Sequence, residues 1–147
     1  MRVIPGVQAS THASQATGHL GSKFGLPPDE ARRAIARIEA SPRLRLDGVH
    51  THVGSQLLNT EQLAAAVAPI AALGTFDTYD LGGGLGVRYT YDEHPPSLDD
   101  YATAMVEQAS ALLPEGSRII VEPGRSMVAT SACTVYRVTT VKRGVVT

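Results

Sequence analysis

Tryptophan is absent from this chain, and cysteine occurs once, at Cys133. A lone thiol excludes an internal disulfide framework and fits a reducing, cytoplasmic compartment. In its strand-like surroundings Cys133 is expected to be inert packing. The remaining aromatics are five tyrosines and two phenylalanines, too few for a base-stacking surface. No run of Lys or Arg marks a nucleic-acid or acidic-lipid partner, and lysine itself occurs only at Lys23 and Lys142. No apolar run approaches the roughly 20 residues of a membrane span. Met1-Arg2-Val3-Ile4-Pro5-Gly6 is no signal peptide. With those classes removed, 147 residues at 43% hydrophobic content and a net charge of -1 describe a soluble globular chain of single-domain size.

Strands and helices alternate along what is there. Arg2 to Val7 reads as the end of a buried strand with almost nothing before it, and polar, His- and Ser-rich sequence follows to Gly25. Pro27-Pro28-Asp29-Glu30 starts a helix with Ala31, Ala34, Ile35 and Ile38 at helical spacing. Leu46 to Val53 is a strand, and Asn59-Thr60-Glu61 opens a helix through Leu73 that Pro69 should kink. Phe76 to Leu81 is the next strand. Ser97-Leu98-Asp99-Asp100 has the spacing of a capping box, ahead of a helix carrying Tyr101, Met105, Ala109 and Leu112 on one side. Ile119-Ile120-Val121 is a strand apolar on both faces, as a parallel sheet requires. Ala132 to Val141 is β-branched and alternating, follows no helix, and is expected to enter a separate antiparallel region. The pattern β-α-β-α-β-α-β predicts a parallel α/β architecture with its unusual residues at the C-terminal strand ends, where such folds place their sites.

Four stretches carry candidate chemistry. Gly82-Gly83-Gly84-Leu85-Gly86 follows a strand, yet it fails both the dinucleotide fingerprint and the P-loop pattern. A backbone nest for a phosphate ester remains open beside a purely structural turn. In Gly48-Val49-His50-Thr51-His52-Val53-Gly54-Ser55-Gln56, strand alternation sends both histidines to one face. A metal, a planar cofactor with His52 on its ring and Ser55 on its phosphate, or two hydrogen-bonded core histidines would each suit that pair. Glu122-Pro123-Gly124-Arg125 places a carboxylate and a guanidinium just past a buried strand. They suit a cationic ring nitrogen and an anion, or simply one another as an ion pair closing a loop. Thr17-Gly18-His19-Leu20-Gly21-Ser22-Lys23-Phe24-Gly25 is by itself a loop with a tethered aromatic, and His12, His19 and His94 sit in polar segments where solvated histidine is the default.

Taken in order, these stretches resemble the pyridoxal-phosphate-dependent decarboxylases of basic amino acids that share an alanine-racemase-like barrel, above all the branch acting on diaminopimelate. The resemblance runs through Thr-Gly with Ser-Lys-Phe-Gly, Gly-Val-His-x-His-x-Gly-Ser-Gln, Asp-Leu-Gly-Gly-Gly-Leu-Gly and Glu-Pro-Gly-Arg, and covers nearly the whole chain. It implies a pyridoxal 5'-phosphate site with no metal. His52 would stack on the pyridine ring, Ser55 would bond the phosphate, and Gly82, Gly83, Gly84 and Gly124 would give it backbone N–H groups. Glu122 would pair with the protonated pyridine nitrogen, making it catalytic with His52, and Arg125 would hold the phosphate edge or the substrate carboxylate. The implied reaction is decarboxylation of meso-2,6-diaminopimelate to L-lysine by a cytoplasmic homodimer. Sister enzymes acting on ornithine, arginine or carboxynorspermidine, a non-catalytic cofactor-binding fragment, and a metal-dependent barrel hydrolase using His50 and His52 are the alternatives.

The same resemblance shows what is not here. The family carries its cofactor on a lysine in a Tyr-Ala-x-Lys-like context that nothing in the chain matches, and Lys23 belongs to another motif. Its C-terminal domain supplies a cysteine-containing substrate motif, for which Cys133 lies too early. The expected architecture is therefore a partial (β/α)8 TIM barrel, roughly strands 5–8, over residues 1–130, with the first strand of a C-terminal β-domain over 131–147. A complete barrel needs about 250 residues. Half a barrel should leave two unpaired strand edges, so the isolated chain is expected to dimerise, aggregate or fold only in part.

Overall fold

The computed structural model describes residues 1–7, 18, 19 and 21–142. His12, Thr17 and Leu20 lie outside the described residues. The elements are β1 (Arg2–Val3), α1 (Pro28–Glu39), β2 (Gly48–Thr51), α2 (Thr60–Ala64), α3 (Val67–Ala71), β3 (Thr78–Asp80), α4 (Leu98–Leu112), β4 (Arg118–Ile120) and α5 (Gly124–Val128). All four strands are parallel and lie side by side in chain order, β1-β2-β3-β4, so each helical connection returns the chain to the next position in one sheet.

Strand parity divides the sheet. Val3, Val49, Thr51 and Tyr79 are buried on the face covered by helices, where α3 packs on β2 and α4 packs on α2 and α3. The register aligns Arg2, His50, Asp80 and Ile120 in one row across the opposite face. Those four residues are only half-buried. The core under the helices is built from Val3, Val49, Val53, Leu57, Val67, Ile70, Tyr79, Leu81 and Leu85, joined by Tyr101, Met105, Ala109 and Leu113.

Local signals explain the helices. Pro28 opens α1 where no intrahelical N–H is needed, Asp29 and Glu30 sit in its first turn, and Ala31 and Ile35 face the core. Ser97 caps α4 by accepting from the Asp100 N–H at 3.0 Å, while the Asp100 carboxylate accepts from the Ser97 N–H. The buried row of α4 is Tyr101, Met105, Ala109 and then Leu113. Leu112 is 43% exposed, because steps of four from Tyr101 reach 113.

Three departures from the sequence pattern have physical causes. The helix expected from 59 to 73 is two short helices broken at Ala65–Ala66. Pro69 has no N–H for the Ala65 carbonyl, and its ring crowds that carbonyl, so the break falls four residues upstream. The β4 strand is an edge: no described strand pairs beyond it, and Ile119 (38%) and Val121 (40%) stay partly exposed beside Tyr101, Met105 and Ala109 of α4. Ala132 to Val141 forms no strand and stays exposed, Cys133 with it, since no described strand lies beside it to pair with its N–H and C=O groups. At the other edge β1 is partly paired. Ile4 N–H donates to the Leu26 carbonyl at 2.8 Å and Leu26 N–H to the Arg2 carbonyl at 3.1 Å. One of the two expected open edges is thus covered in part, by a single bridge.

The Tyr79 hydroxyl ties the turn before β3 to the core. It donates to the Gly74 carbonyl at 2.9 Å and accepts from the Phe76 N–H at 3.1 Å, with the two rings edge to face. Tyr79→Phe leaves both backbone groups without that partner while keeping the apolar volume. The expected loss is about 1–3 kcal/mol, read as a lower urea midpoint with the unfolding slope unchanged.

Candidate functional site at the strand C-termini

The rows of the register place the candidate residues. His52 lies two residues past His50, Gly82 two past Asp80 and Glu122 two past Ile120, so all three sit one row further toward the C-terminal rim. Backbone contact holds this rim together. A Cβ on Gly82 would fall onto the Thr51 carbonyl, one on Gly83 onto the Glu122 carbonyl, and one on Gly84 onto the Gly54 carbonyl. Gly82 and Gly84 also have φ of 70° and 121°, where a side chain is strained. The glycine run is therefore required by packing before any ligand is considered.

The glycine amides are already directed. Gly82 N–H donates to Asp80 Oδ1 at 3.0 Å, Gly83 N–H to His52 Nδ1 at 3.2 Å, and Gly124 N–H to the Glu122 carbonyl at 2.8 Å. The Gly83 contact makes His52 Nδ1 an acceptor, so the neutral ring carries its hydrogen on Nε2. Burial lowers the His52 pKa from its ordinary 6.5, Arg2 and His50 lower it further, and Glu122 and Asp80 act the other way. His50 Nε2 lies 3.4 Å from Glu122 Oε2, an ion-pair distance without hydrogen-bond geometry. One ligand atom from each of His50, His52 and Glu122 lies within 4.8 Å of the others.

Arg125 and Glu122 do not pair with one another, which removes the loop-closing ion pair. Arg125 Nε and Nη2 donate to Ser55 Oγ at 3.1 and 2.8 Å, and Nη1 donates to the Tyr89 hydroxyl at 2.8 Å. Gln56 fixes both acceptors. Its side-chain amide donates to the Val87 carbonyl at 2.5 Å and accepts the Val87 N–H at 3.1 Å, while its own φ of 58° is left-handed. The fourth motif joins the rim through Gly18, whose N–H donates to the Val53 carbonyl at 2.7 Å. Lys23 is exposed and stands over Phe24, 5.2 Å from the ring centroid, while Arg2 stands near the same ring at 5.0 Å.

The site thus has two ends: a carboxylate beside two imidazoles, and a guanidinium seated on two hydroxyls. Sequence reasoning missed Arg2, Asp80, Tyr89 and the Gln56 clamp. Strand alignment could have placed Arg2 and Asp80 beside His50. Tyr89 had no signal, because its contact with Arg125 spans 36 residues of sequence.

A family model described as "Pyridoxal-dependent decarboxylase, pyridoxal binding domain" matches residues 1–129. The chain belongs to this family. Its cofactor is accordingly pyridoxal 5'-phosphate. The diaminopimelate decarboxylase of Synechocystis is 35% identical over 94% of this chain and 32% of its own length. That of Actinosynnema pretiosum is 38% identical over 99% of the chain and 36% of its own. The crystal structure of the Helicobacter pylori diaminopimelate decarboxylase complexed with L-lysine superposes with a TM-score of 0.78 at 34% identity, covering 87% of this chain and 34% of that one. The chain thus spans about a third of the length of the curated relatives it matches. No helix among the described residues is long and apolar enough to cross a membrane.

The residues of this pyridoxal-binding domain fit the group. A phosphate ester needs cationic and N–H donors, and a pyridinium nitrogen needs a carboxylate. The two ends of the site supply these separately.

The His52 environment also sets a pH dependence. Its folded pKa lies below the unfolded value, so the unfolded chain takes up the proton first on acidification. That stability is present above pH 6.5 and is lost as pH falls toward the folded pKa. In metal-free buffer the urea midpoint should fall between pH 7.5 and 5.5. His52→Asn, whose Oδ1 accepts the Gly83 N–H without titrating, should fall less.

Proposed function

We propose that this domain contributes the phosphate and ring-nitrogen contacts of a pyridoxal-phosphate-dependent carboxy-lyase that converts meso-2,6-diaminopimelate to L-lysine, in lysine biosynthesis. The observation that carries the reading is the separation of Glu122 from Arg125 onto different partners, giving one anionic and one cationic end on a rim of glycine backbone. Residues 1–130 are read as the second half of a (β/α)8 barrel, strands 5–8, and 131–147 as the start of a C-terminal β-domain. The complete enzyme is read as a cytoplasmic homodimer. The hydrolase reading of His50 and His52 loses its support with the family match.

When bound, the cofactor supplies the electron sink that lets an amino acid lose CO2 from its α-carbon. Glu122 holds the ring nitrogen in its protonated form by direct charge interaction, which makes that sink deeper. His52, whose burial disfavours the protonated form, would take the ring face without placing a second positive charge there. Ser55 binds the phosphate, since a hydroxyl that accepts guanidinium N–H groups can still donate its own hydrogen. Arg125 neutralises the phosphate or takes the substrate carboxylate. Gly82, Gly83, Gly84 and Gly124 complete the cradle, the first two by exchanging Asp80 and His52 for phosphate oxygens.

Glu122→Gln in the complete enzyme keeps the shape and a neutral hydrogen bond but removes the charge. A charge-assisted bond exceeds a neutral one by about 1–2 kcal/mol, so kcat should fall roughly 10-fold or more. Cofactor affinity should change much less. Unchanged turnover would exclude Glu122 as the ring-nitrogen partner.

A further inference from the structure

We propose that His50, His52 and Glu122 form a chelating site for a divalent transition cation of the zinc class, and that such an ion excludes the cofactor ring. His50 and His52 project from one face of β2 and its extension, and Glu122 reaches them across the sheet from beyond β4. Tetrahedral zinc with nitrogen and oxygen ligands at about 2.0–2.2 Å places neighbouring ligand atoms roughly 3.3–3.5 Å apart. His50 Nε2 and Glu122 Oε2 already stand 3.4 Å apart, and the His52 ligand atom is within 4.8 Å of both. His50 Nε2 is sealed from solvent without a hydrogen-bond partner among the described residues, a state that a cation relieves. Glu122 is half-exposed, which leaves an entry path and a position for water on the ion.

Binding reshapes the glycine turn. If His52 Nδ1 takes the ion, the lone pair that accepts the Gly83 N–H is used up. If Nε2 takes it, the ring hydrogen moves to Nδ1 and faces that same N–H. Either way the Gly83–His52 hydrogen bond at 3.2 Å is lost. Arg2 and Asp80, in the His50 row just below, place one charge of each sign beside the site. The exclusion of the cofactor rests on the reading above, in which Glu122 and His52 take its ring. The cation site itself does not.

Zinc chloride titrated into the metal-free 147-residue chain should bind at one equivalent. His50→Ala and Glu122→Gln should each weaken it by about tenfold or more, and His94→Ala, an exposed histidine elsewhere, should not. Cobalt(II) should give the intense visible bands of a four-coordinate nitrogen and oxygen site. No binding, or binding unaffected by Glu122→Gln, a substitution at a half-exposed side chain, overturns the site. Pyridoxal phosphate titrated into metal-free chain tests the cofactor reading alone. Saturating zinc should then raise its apparent Kd about tenfold in the wild type and leave it unchanged in His50→Ala. Equal affinity with and without zinc in the wild type overturns the exclusion.

Discussion

The rim of this sheet depends on backbone touching backbone. Where Gly82, Gly83 and Gly84 pass the carbonyls of Thr51, Glu122 and Gly54, there is room for hydrogen and nothing more. Those three contacts hold the ends of β2, β3 and β4 at one height. His52, Ser55, Glu122 and Arg125 then hang from segments that cannot slide relative to one another. A side chain here would push apart the two strand ends that present the imidazole and the carboxylate. The glycines thus act first as spacers of zero width, and their amides come second: the Gly83 N–H sets the tautomer of His52.

Much of the domain was legible because its signals are local. The capping box at Ser97 and Asp100, the prolines ahead of α1 and the strand alternation through His50 and His52 each concern neighbouring residues. Structure followed them closely. What escaped depends on residues that are absent or distant. Nothing near Ile119 and Val121 tells whether another element will cover them, so a strand apolar on both faces became an exposed edge. The stretch from Ala132 to Val141 has the composition of a strand and no partner strand among the described residues. Pro69 announced a disturbance in its helix, but its position followed from the ring's reach to the Ala65 carbonyl.

The candidate site was legible as a set of residues rather than as a geometry. Four motifs in order pointed to one family, and the family match covers them. Their partners were not readable: Arg125 meets Ser55 across 70 residues and Tyr89 across 36. Glu122 and Arg125, close together in a short turn, could have paired with one another and are instead turned to opposite ends of the site. The γ-type turn that returns Gly124 N–H to the Glu122 carbonyl sends the two side chains apart.

The row formed by Arg2, His50, Asp80 and Ile120 has a meaning for recognition between pieces of chain. Packed barrels fill their interior with layers of Val, Ile and Leu, whereas this concave face offers two cations or potential cations, a carboxylate and a single isoleucine. Any backbone that closes over it has to arrive with matching polar groups at the same height, because an unpaired charge in that interior is costly. An apolar surface of the right curvature would fit the shape and fail the chemistry. The row therefore favours a polar covering over an apolar one.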